Sequence, residues 1–308
     1  TWQQALPHGI TLSCRASGKR GRPVLLFLHG FPEAAFAWDA LLEHFARPEN
    51  GGYRCVAPNL RGYEHSSAPT DVRDYRAKHL LQDIAALIDL ESPGAPLAAL
   101  VAHDWGGALA WAFANQHPHR MQRLVIVNAP HPGTYLRELQ NNPAQQAASA
   151  YMNFLVRPDA ARLLTENSHA RLFGFFEGMG AAAPPGTPGA PIGSGWLTPA
   201  LRAQYRAVWD RGLDGGLNYY RASPLRPATA QDPGASAVQL PPAMVGHHDG
   251  SRPNIHGSFG IFHRHNAFEA KLAAPICAHL FCSGPIHGRI KHGVEIILDR
   301  NCFFRSFT

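Results

Sequence analysis

Residues 101–107 read Val-Ala-His-Asp-Trp-Gly-Gly. An apolar run from Leu97 to Ala102 leads into them, and an Ala/Leu/Trp-rich stretch of helical composition, Ala108 to Gln116, follows. Strand, sharp turn and helix in that order leave the apex residue bare, provided that small residues flank it. Ala102 and Gly106, two positions either side of Asp104, give the backbone room to reverse. The apex residue is a carboxylate. Held bare at such a bend, it is set up to attack an electrophilic carbon, where a serine would be set up for acyl transfer. Taken alone, Asp104 also suits the plainer role of helix N-cap.

Working outward, the same strand-then-helix order repeats. Pro23 to Leu28 is a short continuous apolar run of the kind that is buried on both faces. A helix is expected from Ala34 to Phe45, a strand from Tyr53 to Ala57, and a helix from Tyr75 to Leu90, whose Leu80, Leu81, Ile84, Leu87 and Ile88 recur at helical spacing. Leu124 to Asn128 is a further strand. This alternation predicts an α/β fold with a mostly parallel sheet and helices on both faces. After Pro132 the pattern changes to helical text without strands, from 134 to about 176 and from Leu197 to Trp209, with a Pro/Gly/Ala loop at 180–195 between. The expected organisation is a core segment 1–131, an inserted helical cap 132–227 and a last core segment 228–308.

Composition narrows the function classes. Hydrophobic residues make up 45% and charged residues 16% of 308, the balance of a globular chain. No run approaches the ~18 apolar residues of a membrane span, and no secretory pattern is read at the N-terminus. The net charge of +6 comes without a basic stripe carrying interleaved aromatics, so neither nucleic acid nor membrane is expected as a partner. Five scattered cysteines, at 14, 55, 277, 282 and 302, do not read as a disulfide framework, and a cytoplasmic setting is expected.

Four segments stand at expected strand ends: His29-Gly30-Phe31-Pro32-Glu33, Arg61-Gly62-Tyr63, His103-Asp104-Trp105-Gly106-Gly107 and Asn128-Ala129-Pro130-His131-Pro132. With Asn218-Tyr219-Tyr220-Arg221, this set resembles the epoxide hydrolases of the α/β-hydrolase fold, over residues 1 to about 227. The resemblance implies hydrolysis of an epoxide to a vicinal diol, with water and a small-molecule substrate and no cofactor. It implies Asp104 as nucleophile, Tyr220 and Tyr151 as donors to the epoxide oxygen, and the backbone N–H groups of Phe31 and Trp105 as oxyanion donors. The haloalkane and haloacid dehalogenases share the aspartate nucleophile. The haloacetate type resembles His-Asp-Arg at the elbow, where this chain has Trp105. His29, His103, Trp111 and Tyr219 are expected to be packing or hydrogen-bonding residues around the site.

From about Val238 the chain departs from the family pattern. Asp249 stands where the family's acid is expected, and His279, thirty residues on, where its base is expected, with His287 as a second candidate. Eight of the 18 histidines fall in this tail, at 247, 248, 256, 263, 265, 279, 287 and 292. A shift of reading frame in the coding DNA would account for the departure, leaving a hydrolase-fold protein without a working histidine. Cys277, Cys282, His287 and His292 recur every five residues, but the gap between the Cys and His pairs is too short for a zinc finger, and no metal site is expected.

Overall fold

The computed structural model describes residues 1–178 and 195–227, together with the backbone of two later strands, Ile286–Ile290 and Val294–Leu298. Asp249, His279, Cys277, Cys282, His292 and the loop 180–194 lie outside the described residues, and of His287 only the backbone position is described.

Eight strands form one sheet: β1 (Trp2–Ala5), β2 (Thr11–Ser17), β3 (Val24–Leu28), β4 (Arg54–Pro58), β5 (Ala99–His103), β6 (Arg123–Val127), β7 (Ile286–Ile290) and β8 (Val294–Leu298). Their spatial order is β1-β2-β4-β3-β5-β6-β8-β7. The five strands from β4 to β8 in that order run parallel, and the two edges are antiparallel. Helices α1 (Asp39–Ala46), α2 (Ala77–Glu91) and α3 (Asp104–Gln116) connect the strands.

The apolar runs are continuous because both sheet faces are covered. Leu25 and Phe27 pack with Trp38, Leu41, Leu42 and Phe45 beside α1. Their neighbours Val24, Leu26 and Leu28 point the other way, into a core shared with Leu80, Ile84 and Leu87 of α2 and Leu109 and Phe113 of α3.

After β6 the described residues up to 227 form helices only: α4 (Pro132–Asn141), α5 (Pro143–Ala148), α6 (Tyr151–Leu155), α7 (Ala160–Gly178), α8 (Pro199–Trp209) and α9 (Asp214–Ala222). Non-helical backbone at Glu166, Asn167, Ser168 and His169 breaks α7. Helix α8 starts as its sequence dictates, with Pro199 in the first turn and the Thr198 side chain accepting from the Leu201 N–H. It buries Leu201, Tyr205, Val208 and Trp209.

Some elements differ from expectation. The helix expected at Ala34 begins as a 3₁₀ turn, Ala35–Trp38, and α1 proper starts at Asp39. The helix expected from Ala108 starts at Asp104, directly after β5. Strands β1 and β2 carry no run that stands out, because β1 lies at an edge with half-buried and exposed residues alternating. In the tail, β8 joins parallel to β6, with Arg123 opposite Glu295, and β7 closes that edge.

Candidate active site

Parallel pairing of β3, β5 and β6 brings their carboxyl ends out side by side, the place where α/β sheets present functional groups. The turn after β5 is tight. Asp104 takes φ +51°, a conformation that costs a non-glycine residue on the order of 1 kcal/mol. Two glycines permit the close approach. A Cβ at Gly30 would stand 2.1 Å from Asp104 Oδ1, and one at Gly106 would stand 2.6 Å from the carbonyl oxygens of Leu28 and His29. The Phe31 N–H donates to Asp104 Oδ1 at 2.8 Å, across 73 residues of chain. The Phe31–Pro32 peptide is cis.

Asp104 opens onto a cavity lined also by Trp105, Tyr135, Tyr151, Met152 and Tyr220. Tyr220 is buried and Tyr151 half-buried. The Tyr220 ring meets Phe31 edge-on at 5.6 Å and Trp105 at 5.1 Å between centroids. Burial holds the phenols of Tyr220 and Tyr151 well above their ordinary range, and the nearby Asp104 charge and neighbouring phenols add to the shift.

Sequence reasoning missed one participant. Tyr135 of α4 lines the same cavity, its hydroxyl bonded to Ser149 Oγ at 2.8 Å and Met152 Sδ at 3.2 Å. Burial is the main cause that pushes it up to about 12, with Asp104 adding. Its one sequence signal is its place in the helix that follows β6.

His29 is structural. The Leu60 N–H donates to its Nε2 at 3.1 Å, which puts the ring proton on Nδ1, 3.0 Å from the Gly30 carbonyl. Burial lowers it to about 4, so it stays neutral. The Trp111 indole donates to the Ala129 carbonyl at 3.1 Å. Tyr219 turns away from the cavity, and its hydroxyl donates to the Arg61 carbonyl at 2.9 Å. Arg61 grips Asp83 through two bonds of 2.8 and 2.6 Å. Among the described residues no cluster of three or more His, Cys, Asp or Glu side chains can hold a metal, and no helix is long and apolar enough to cross a membrane.

The family model of the alpha/beta hydrolase fold matches residues 23–209. Epoxide hydrolase 3 of Siraitia grosvenorii is 31% identical over 245 residues, covering 72% of this chain and 73% of that protein. The chain belongs to the epoxide hydrolase family of the α/β-hydrolase fold. Epoxide hydrolase 3 of Xenopus tropicalis is 41% identical over 144 residues, 47% of this chain. Among solved structures, an inhibitor complex of the Bacillus megaterium epoxide hydrolase superposes with a TM-score of 0.64 at 28% identity, covering 75% of this chain and 74% of that one. The chain spans about two-fifths of the length of three vertebrate epoxide hydrolases it matches, 38–40% in frog, human and mouse. The helices that follow β6 supply three phenols, those of Tyr135, Tyr151 and Tyr220, to the cavity that Asp104 also lines.

Proposed function

We propose that this chain hydrolyses an epoxide to a vicinal diol through a covalent ester on Asp104. The observation that carries the proposal is one cavity shared by a carboxylate, held by the Phe31 N–H, and by the phenols of Tyr151 and Tyr220. Residues 1–131 and 228–308 form the core in this reading, and 132–227 the cap.

In the first step a carboxylate oxygen of Asp104 attacks a ring carbon from behind. The carbon–oxygen bond of the ring breaks, and the oxygen takes a proton from Tyr220 or Tyr151. A phenol kept neutral by burial gives that proton without first being lost to solvent. In the second step water attacks the ester carbonyl carbon, and the resulting oxyanion is stabilised by the N–H groups of Phe31 and Trp105. A histidine takes one proton of that water and returns it to the tyrosinate. The other proton leaves on the departing alkoxide, so one epoxide and one water give one diol. His279, oriented by Asp249, is proposed as that base, with His287 as the second candidate.

Dehalogenation would use the same carboxylate, but a halide leaves without being protonated. Two phenols facing Asp104 therefore favour the epoxide.

Incubation with styrene oxide, followed by intact-mass spectrometry and diol analysis, tests the proposal. Accumulating diol is expected. The sequence departure after residue 238 favours a second reading, a single turnover, in which a permanent mass gain on Asp104 occurs without diol. Neither mass gain nor diol would overturn both.

A further inference from the structure

Helix α8 meets the loop that follows β3 at three places. The Trp209 indole N–H donates to the Pro32 carbonyl at 2.8 Å. The Tyr205 hydroxyl donates to the Glu33 carboxylate at 2.7 Å, between residues 172 apart in sequence. The Tyr205 ring packs edge-on against Phe36, with centroids 4.8 Å apart. Tyr205 and Trp209 stand one helical turn apart, so both leave the same face of α8. Their rings stack at 5.2 Å and 29°, and Phe176 packs against both. Glu33, Tyr205 and Trp209 are 7%, 1% and 2% exposed. A hydrogen bond to a carboxylate in so dry a place is strong and specific in direction.

The gripped loop carries the amide that touches the nucleophile. Glu33 N–H closes a turn onto the Gly30 carbonyl at 3.0 Å, and between those two residues lies Phe31, whose N–H bonds Asp104 Oδ1. On the sheet side, Asn59 Oδ1 holds the Ala35 N–H at 2.8 Å. The Phe31 amide is thus strung between an anchor in the core and an anchor on α8.

We infer that Glu33, Tyr205 and Trp209 form a clamp through which α8 positions the Phe31 amide against Asp104. The cap then sets the geometry of the oxyanion site as well as covering it. These three are positioning residues. The catalytic consequence rests on the function proposed above for Asp104 and Phe31. Misplacement of a reacting or stabilising group by about 1 Å is worth up to roughly a hundredfold in rate, so loss of one anchor is expected to cost about tenfold.

The test is rapid mixing of the full chain with styrene oxide, comparing wild type with Tyr205→Phe, Trp209→Phe, Glu33→Ala and Glu33→Gln. Intact mass gives the fraction of molecules able to form the Asp104 ester, and fluorescence gives the rate constants per competent molecule. The expected result is an unchanged competent fraction with ester formation, and ester hydrolysis where it follows, slowed about tenfold. Glu33→Gln, which keeps an acceptor, should recover much of the rate lost in Glu33→Ala. Adding Tyr205→Phe to Glu33→Ala should slow the reaction no further, because both remove one interaction. A residue that served folding alone would lower the competent fraction and leave the rate constants per competent molecule as they were; that outcome overturns the clamp. Trp209→Phe removes the bond to Pro32 and keeps an aromatic ring, though a smaller one, at the same place, so its rate constants per competent molecule decide the matter if Tyr205→Phe does not fold.

Should wild type form neither ester nor diol, the proposed function fails and the clamp is judged separately by amide deuterium exchange. Residues 31–35 should then exchange about tenfold faster in Tyr205→Phe while the sheet stays protected, and unchanged exchange at 31–35 overturns the clamp.

Discussion

The two walls of the cavity are built on different principles. The core wall offers backbone geometry: Asp104 at a positive φ, the Phe31 N–H 2.8 Å from its Oδ1, and glycine at positions 30 and 106, where any side chain would collide. The other wall, the cap of the function proposed above, offers side-chain chemistry: the phenols of Tyr151, Tyr220 and Tyr135, all held protonated by burial. The core wall stands at the ends of strands covered on both faces, so its atoms move little and its tolerance for substitution is small. The cap wall stands on short helices, and what matters there is which groups can give a proton. The difference teaches that damage to the first wall should abolish the reaction, whereas damage to the second should slow one of its steps.

The hardest blow to this contrast is struck at the proposed nucleophile. Asp104→Ala is expected to abolish both the mass gain and the diol, a loss of at least roughly 10⁴-fold. Diol formation retained in that variant would remove the distinction between the walls. On the other side, Tyr220→Phe and Tyr151→Phe should each slow ester formation by at least about 10²-fold, the scale of general acid catalysis. Ester hydrolysis should be affected less, since no ring oxygen is protonated in that step. Rapid-mixing kinetics separate the two, and equal loss in both steps would mean that the phenols serve the whole site and not ring opening.

These walls were unequally legible in the sequence. The core wall is written in local text, because a buried strand is a run of apolar residues and a tight turn needs small ones. His29 to Glu33 and Val101 to Gly107 therefore announce themselves within a few residues. Tyr220 was legible through its Asn-Tyr-Tyr-Arg setting. Tyr135 was not, because it sits in ordinary helical text and comes to the cavity only through the path of α4. The Glu33–Tyr205 bond was not either, since a contact across 172 residues depends on how α8 packs and leaves no local pattern. Strands β7 and β8 were hidden for a related reason: β7, Ile-His-Gly-Arg-Ile, has no continuous apolar run, and its pairing with β8 decides such a segment more than propensity does.

The core wall also has a cost in acid that the cap phenols do not share. Burial holds His29 near 4, against 6.5 for the exposed group. Between those values the unfolded chain binds a proton that the folded chain refuses. Stability from this residue is therefore complete above pH 6.5 and falls as the pH drops toward 4, by about 3 kcal/mol in all. Denaturant melts of wild type and His29→Gln at pH 7 and pH 4.5 should show a smaller acid loss in the variant. An identical loss would mean that the imidazole is not held neutral and that the support of the Phe31 loop needs another explanation.

The smallest effect is the sharpest test of where the boundary between the walls runs. Tyr219 and Tyr220 are consecutive on α9, yet only Tyr220 lines the cavity. The Tyr219 hydroxyl is buried on the Arg61 carbonyl, and the Tyr63 and Tyr75 rings pack against it. Removing that hydroxyl leaves a buried carbonyl short of one donor, which costs about 1 kcal/mol of stability. Tyr219→Phe should show that loss in a denaturant melt while both rate constants stay at the wild-type values. A helix one residue wide of this placement would put Tyr219 where Tyr220 stands, and Tyr219→Phe would then slow ring opening as Tyr220→Phe is expected to do. Comparing this neighbouring pair of substitutions therefore tests the register of α9 over Asp104 directly.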